Sequence, residues 1–124
     1  MNQKRVFVSG SSRGIGRAIA LRLARDGFAV TVHCRSRSAE AEGLVSEIVV
    51  AGGAADFLMF DVRDRVLASA SLEQTVAEKG AYYGIVCNAG ISRDGAFPAL
   101  TGEDWDSVLD TSLDGFFNVV HPLI

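Results

Sequence analysis

Apolar positions in this chain follow two alternating rhythms. Short, almost unbroken apolar runs occur at Arg5–Ser9 (RVFVS), Ala29–His33 (AVTVH), Asp56–Asp61 (DFLMFD) and Gly84–Cys87 (GIVC). Runs this short and this uniformly apolar predict strands covered on both faces. Between them the spacing becomes helical. Ile15, Ile19 and Leu23 stand four apart and predict a helix that Asp26-Gly27 ends. Ser38–Val50 predicts a second helix, with Glu40 and Glu42 in its first turn and Gly52-Gly53 breaking it. Asp64–Lys79 predicts a third. A loop then runs to Pro98, and Thr101 with Asp104 forms a capping box for a last helix. The apolar stripe of that helix is Trp105, Leu109, Leu113, Phe116, Phe117 and Val120. Strand–helix alternation of this kind predicts one α/β unit, βαβαβαβα, with a parallel sheet between helices. No repeat, low-complexity tract or linker interrupts it.

Composition narrows the partners. The 124 residues are 48% hydrophobic with a net charge of −3, which suits one globular domain. The mild acidity argues against nucleic acid, whose phosphates require a basic face. No apolar run approaches the roughly 18–20 residues of a membrane span, and MNQKRVFVSG offers no secretory signal, so a cytoplasmic protein is expected. Cys34 and Cys87 make no disulfide framework and no zinc pattern. His33 is expected to be a partly exposed scaffold residue, and His121 has no metal partner nearby in sequence. Phe28, Phe57, Phe60, Phe116 and Phe117 are expected in the core.

The stretch with the most chemistry is SGSSRGIGRAIA, from Ser9. Gly10, Gly14 and Gly16 follow the first strand and open the first helix. In a sheet of this type, ligands bind at the carboxyl ends of the strands. Gly10 permits a tight turn, Gly14 lets backbone approach a pyrophosphate, and Gly16 lets helix pack on strand. The helix N-terminus then offers N–H groups to phosphate. A ligand-free glycine-rich turn is the competing reading.

The spacing is G-x-x-x-G-x-G, and it resembles the TGxxxGxG motif of the short-chain dehydrogenase/reductases, with Ser9 in place of threonine. Cys87-Asn88-Ala89-Gly90 resembles that family's NNAG, and Asp61 its acidic residue after the third strand. SSRGIGRAIA and NAGISRDGAF are most similar to its 3-oxoacyl-acyl-carrier-protein reductases. The resemblance implies a Rossmann-type doubly wound parallel sheet of order 3-2-1-4 in three α/β/α layers. It implies that Gly10, Ser12, Arg13, Gly14, Ile15 and Gly16 line the diphosphate and adenosine ribose. Asp61, with the Val62 backbone, would meet adenine, and Asn88, Ala89 and Gly90 the ribose and phosphates. A helix N-cap is the competing role for Asp61.

The cofactor is expected to be NADP(H). His33-Cys34-Arg35-Ser36-Arg37-Ser38 ends the second strand without a carboxylate, and Arg35, helped by Arg13, suits a 2′-phosphate. Of the two, Arg37 is the expected bystander, and simple solvated arginines are the alternative. The resemblance further implies reduction of a 3-oxoacyl thioester, carried by acyl carrier protein or coenzyme A, in fatty-acid or polyene-type biosynthesis by a homotetramer. Ser92–Ala96 would lie on the side where substrate enters, with a plain connection as the equal alternative.

Part of that machinery is not in these residues. The family's catalytic tyrosine and lysine are spaced YxxxK, whereas Tyr82 and Tyr83 are followed four on by Val86 and Cys87. Ser112 stands where the family has an asparagine supporting a relay water, and a helix-interior serine bonding its own backbone is the equal alternative. GIVC would be an unprotected edge strand. The expectation is therefore residues 1–124 as an NADP-binding Rossmann domain, truncated before the catalytic segment. A non-catalytic dinucleotide-binding module, or a reductase of another carbonyl, are the alternatives.

Overall fold

The computed structural model describes residues 3–36, 38–88 and 101–124. Four strands, β1 (Arg5–Val8), β2 (Ala29–Cys34), β3 (Ala55–Met59) and β4 (Gly84–Val86), form one parallel sheet in the order β3-β2-β1-β4. Helices α1 (Gly14–Arg25), α2 (Ser38–Val50) and α3 (Arg65–Lys79) connect them, and α4 (Gly102–Leu109) and α5 (Gly115–Leu123) follow. This is the doubly wound α/β topology expected from the alternation, with the strand order that the resemblance implied.

The two faces of the sheet carry separate cores, because side chains alternate along each strand. Val6, Val8, Val30, Val32 and Cys34 face α1 and α2, where they meet Ala20, Ala41, Leu44 and Ile48. Phe7 points the other way, into a cluster with Phe60 and Val62 after β3, Ala68 and Leu72 of α3 and Val119 of α5. Phe7 is fully buried, with the rings of His33, Phe60 and Tyr82 around it. Helix ends follow local chemistry. The Asp64 carboxylate accepts from Leu67 N at 3.1 Å and caps α3, while Thr101 and Asp104 form the expected capping box on α4.

Strand ends differ from the sequence pattern by a residue or two. β3 begins at Ala55 and leaves the sheet after Met59, and the Phe60 carbonyl turns to the His33 ring. The last helix is not one uninterrupted α-helix. Asp110–Asp114 form a single π-helical turn between α4 and α5. One extra residue in a turn rotates everything after it by about 100°. Gly115, Asn118 and Val119 are therefore the buried positions of α5. Phe116 and Phe117, expected in the core, are 54% and 47% exposed, and Leu113 is exposed as well. The Trp105 side chain lies outside the described residues. Ile15 also leaves the expected stripe. It is 74% exposed in the first turn of α1, whereas Ile19 and Leu23 pack on the core.

Replacing Phe7 by alanine is expected to cost about 3–5 kcal/mol, since the ring leaves a cavity among three aromatic neighbours. Val50→Ser, at an exposed position, is expected to stay within about 0.5 kcal/mol of the parent. Denaturant unfolding of the two variants side by side checks both values.

Candidate functional site

The carboxyl ends of β1, β2, β3 and β4 bring their following residues to one end of the sheet. The chain after β1 turns at Gly10, with φ 61°, and enters α1 through Gly14, with φ 64°. Both conformations favour glycine. A Cβ built on Gly14 meets nothing within 4 Å, so bare backbone faces open space there. Gly16 has the opposite surroundings. Its Cβ would come within 2.6 Å of Asn88 Nδ2 and 2.9 Å of Ser11 Cα, so glycine permits the helix to seat against the loop. Arg13, extended and exposed, stands at the N-cap of α1 without a side-chain cap, and no acidic residue occupies the first turn. This contrasts with α3 and α4, whose N-termini are closed by their own side chains. The first N–H groups of α1 are therefore left for an anion.

The loop is held from both sides. Asn88, after β4, donates from Nδ2 to the Gly10 carbonyl at 3.0 Å and from its backbone N–H to Ser9 Oγ at 2.9 Å. His33, in β2, accepts the Gly10 N–H on Nδ1 at 2.9 Å. The His33 N–H donates to Ser11 Oγ and the Ser11 N–H to the His33 carbonyl, each at 2.9 Å. Since Nδ1 accepts, the ring proton sits on Nε2, which donates to the Phe60 carbonyl at 2.8 Å. His33 is 2% exposed, so the expectation of a partly exposed histidine is wrong. The loop and Phe60 cover the strand end that the sequence pattern left open. Burial lowers the imidazole pKa to about 4, against the smaller opposing effects of the Phe60 carbonyl and Asp61.

Beyond Phe60, the Asp61 carboxylate lies between two guanidinium groups. Arg63 contacts it at 2.8 Å through NH2 and at 3.1 and 3.2 Å through Nε, and Arg35 Nε reaches it at 3.3 Å. Asp61 Oδ1 also accepts the Arg63 backbone N–H at 2.9 Å. The Arg63 hydrogen bonds hold the Asp61 carboxyl below its usual range, with burial pulling the other way and Arg35 adding a smaller share. Asp64, not Asp61, caps α3, so the helix-cap role does not fall to Asp61. Two guanidinium groups thus share the Asp61 carboxylate, and Asp110 acts on Arg63 as well.

The family model described as short chain dehydrogenase matches residues 4–124. The chain belongs to the short-chain dehydrogenase family. It is 56% identical over 119 residues to the 3-oxoacyl-(acyl-carrier-protein) reductase FabG of Aggregatibacter actinomycetemcomitans, covering 96% of this chain and 49% of that protein. It is 36% identical to the acetoacetyl-CoA reductase of Cupriavidus necator, covering 100% of this chain and 50% of that protein. Among solved structures, it superposes on a gluconate 5-dehydrogenase of Burkholderia cenocepacia, determined with NADP and tartrate, with TM-score 0.91 and 33% identity. That match covers 99% of this chain and 48% of the other. The chain thus spans about half the length of the curated relatives it matches.

As a short-chain dehydrogenase, the chain gathers Gly10, Ser12, Arg13, Gly14, Ile15, Gly16, Arg35, Asp61, Val62 and Asn88 around the carboxyl ends of its strands. Ser12 is buried and Ile15 exposed beside it. Ala89, Gly90, Arg37 and Ser92–Ala96 lie outside the described residues. Ser112 falls within the π-helical turn, and its side chain is likewise outside them. Three contributors were missed in the sequence pattern. His33 had a signal in strand parity, because Val32 and Cys34 face one side and His33 must face the other. Arg63 had one in its spacing of two from Asp61, which suits a turn closed by a carboxylate. Asn118 had none. Its Nδ2 donates to the Val62 carbonyl at 2.9 Å and its Oδ1 accepts from Arg65 Nε at 3.0 Å, across more than fifty residues. Among the described residues, no group of three His, Cys, Asp or Glu side chains is placed to hold a metal. No helix among them is long and apolar enough to cross a membrane.

His33 also sets a pH dependence. Its folded pKa, about 4, lies below the ordinary 6.5, so the unfolded chain takes up the proton first as pH falls. Stability is highest above the unfolded value and falls between about pH 6.5 and pH 4, by roughly 3 kcal/mol from this residue. Denaturant midpoints at both ends of that window should show the loss, and His33→Asn should flatten it.

Proposed function

We propose that this chain carries the cofactor half of an NADPH-dependent reductase of 3-oxoacyl thioesters. The observation that carries the reading is the uncapped N-terminus of α1, reached through left-handed glycines, beside the Arg35–Asp61–Arg63 cluster. The donor set fits a dinucleotide. The first turn of α1 would receive the diphosphate, with Gly10, Ser12, Arg13, Gly14, Ile15 and Gly16 along it. Arg35 would receive the ribose 2′-phosphate, which no carboxylate on β2 opposes. Asp61 would accept from the adenine amino group beside the Val62 backbone, and Asn88, Ala89 and Gly90 would border the ribose and phosphates. NADPH supplies the hydride, and the residues here bind and orient it.

Arg35 is shared. In this structure its partner is Asp61 at 3.3 Å, and a 2′-phosphate would add a second anion to the same guanidinium. Arg63 keeps the Asp61 charge balanced while Arg35 turns to the phosphate.

The substrate class follows from the relatives, a 3-oxoacyl-(acyl-carrier-protein) reductase and an acetoacetyl-CoA reductase. Acyl carrier protein or coenzyme A would carry the acyl group, in fatty-acid or polyene-type biosynthesis. A cytoplasmic setting and a homotetramer go with the family resemblance. A different carbonyl substrate is the second reading, favoured by the likeness to a gluconate 5-dehydrogenase. The tyrosine and lysine of a YxxxK pair are not among these 124 residues. Cofactor binding without turnover is thus the outcome that would mark a non-catalytic module.

The test is steady-state oxidation of NADPH and NADH by the whole protein with acetoacetyl thioesters and with 5-ketogluconate. Turnover of the thioester with preference for NADPH is expected; turnover of the sugar acid alone would overturn the substrate reading. Arg35→Ala should weaken NADPH binding by about ten- to a hundredfold, the range of a charge-assisted phosphate contact. NADH binding should change little, and an equal loss for both would remove Arg35 from the 2′-phosphate.

A further inference from the structure

We infer that His33 is a positioning residue for the glycine loop, whose imidazole fixes the direction of the Gly10 peptide and ties the loop to the segment bearing Asp61. The inference rests on reading that loop as the phosphate site. Four hydrogen bonds carry it. The ring takes the Gly10 N–H on Nδ1 at 2.9 Å and gives the Nε2 proton to the Phe60 carbonyl at 2.8 Å. The His33 backbone exchanges a bond with Ser11 in each direction. One residue of β2 therefore spans from the end of β1 to the end of β3.

The orientation of the Gly10 peptide decides what the loop shows to a ligand. With its N–H turned onto His33 and its carbonyl turned onto Asn88, both polar groups of the peptide are already engaged by protein side chains. A carbonyl released from this arrangement would present negative charge to a phosphate. Only a neutral ring can do this, since a protonated one would meet the Gly10 donor with another donor. The ring lies against Phe7 of β1 and Phe60 after β3, with centroids 5.7 and 4.4 Å away. Asp61 is the charged group acting on it, balanced by Arg63 and Arg35. Tyr82 stands beyond Phe7 on the same face.

Three variants of the whole protein separate the ring's roles. His33→Asn places an amide oxygen near the position of Nδ1, His33→Gln places an amide nitrogen near that of Nε2, and His33→Leu supplies neither. Two readouts apply: hydrogen exchange of the Gly10 amide without ligand, and NADPH titration across pH. The leucine variant should lose about tenfold in NADPH affinity, the scale of one unmade buried hydrogen bond, with faster Gly10 exchange. The asparagine variant should restore both and lose less affinity than the parent as pH falls towards 4. The glutamine variant should leave Gly10 exchange fast. Parent-like exchange and affinity in the leucine variant, or an asparagine variant no better than leucine, would overturn the inference. If leucine prevents folding, the asparagine–glutamine contrast decides it. A parent protein that binds no dinucleotide would instead overturn the functional reading, and Gly10 exchange would still judge His33.

Discussion

The peptide of Gly10 is gripped on both of its polar groups, by His33 on the nitrogen and Asn88 on the oxygen. A loop built from glycines has little side-chain packing with which to hold itself, and glycine loses the most conformational freedom on ordering. Its rigidity must come from its neighbours. Here they are the strands on either side of β1, so the sheet order β3-β2-β1-β4 is what makes the loop possible. Gly16 completes the arrangement by letting α1 press against Ser11 and Asn88 with no side chain between.

The same end of the sheet concentrates charge. Asp61 engages Arg63 on its own turn and Arg35 from the end of the adjoining strand. The pair with Arg63 is local, separated by two residues, and forms with the turn. The pair with Arg35 exists only once β2 and β3 are side by side. The cluster lies at the same end of the sheet as a helix N-terminus free of acidic residues, on a chain whose net charge is −3.

The far face answers to the same site. Asn118 of α5 is buried and bonds the Val62 carbonyl, so a helix late in the chain steadies the turn carrying Asp61 and Arg63. The π-helical turn at Asp110–Asp114 sets the phase that points Asn118 inward. The same rotation leaves Phe116 and Phe117 half exposed, with Phe117 stacked on His121 and under Arg65.

The sequence by itself determined the alternation of strands and helices, the parallel character of the sheet, the capping of α4 and the place of the glycine loop. Each is written in residues close together along the chain: apolar runs, four-residue spacings, a Thr-x-x-Asp cap, glycines between strand and helix. Arg35 was legible as a candidate because it follows a strand, and strand ends are where such sheets put their chemistry, whereas Asp61 was legible through its resemblance to a family motif. Only the tertiary structure decided that His33 is buried, that Asp61 is shared by two arginines, and that Phe116 and Phe117 turn outward. Those outcomes depend on which strand ends lie beside which, and on one widened helical turn that no periodicity announces. Short-range patterns fix the period of a segment, whereas burial and partners are set by what the fold brings against it.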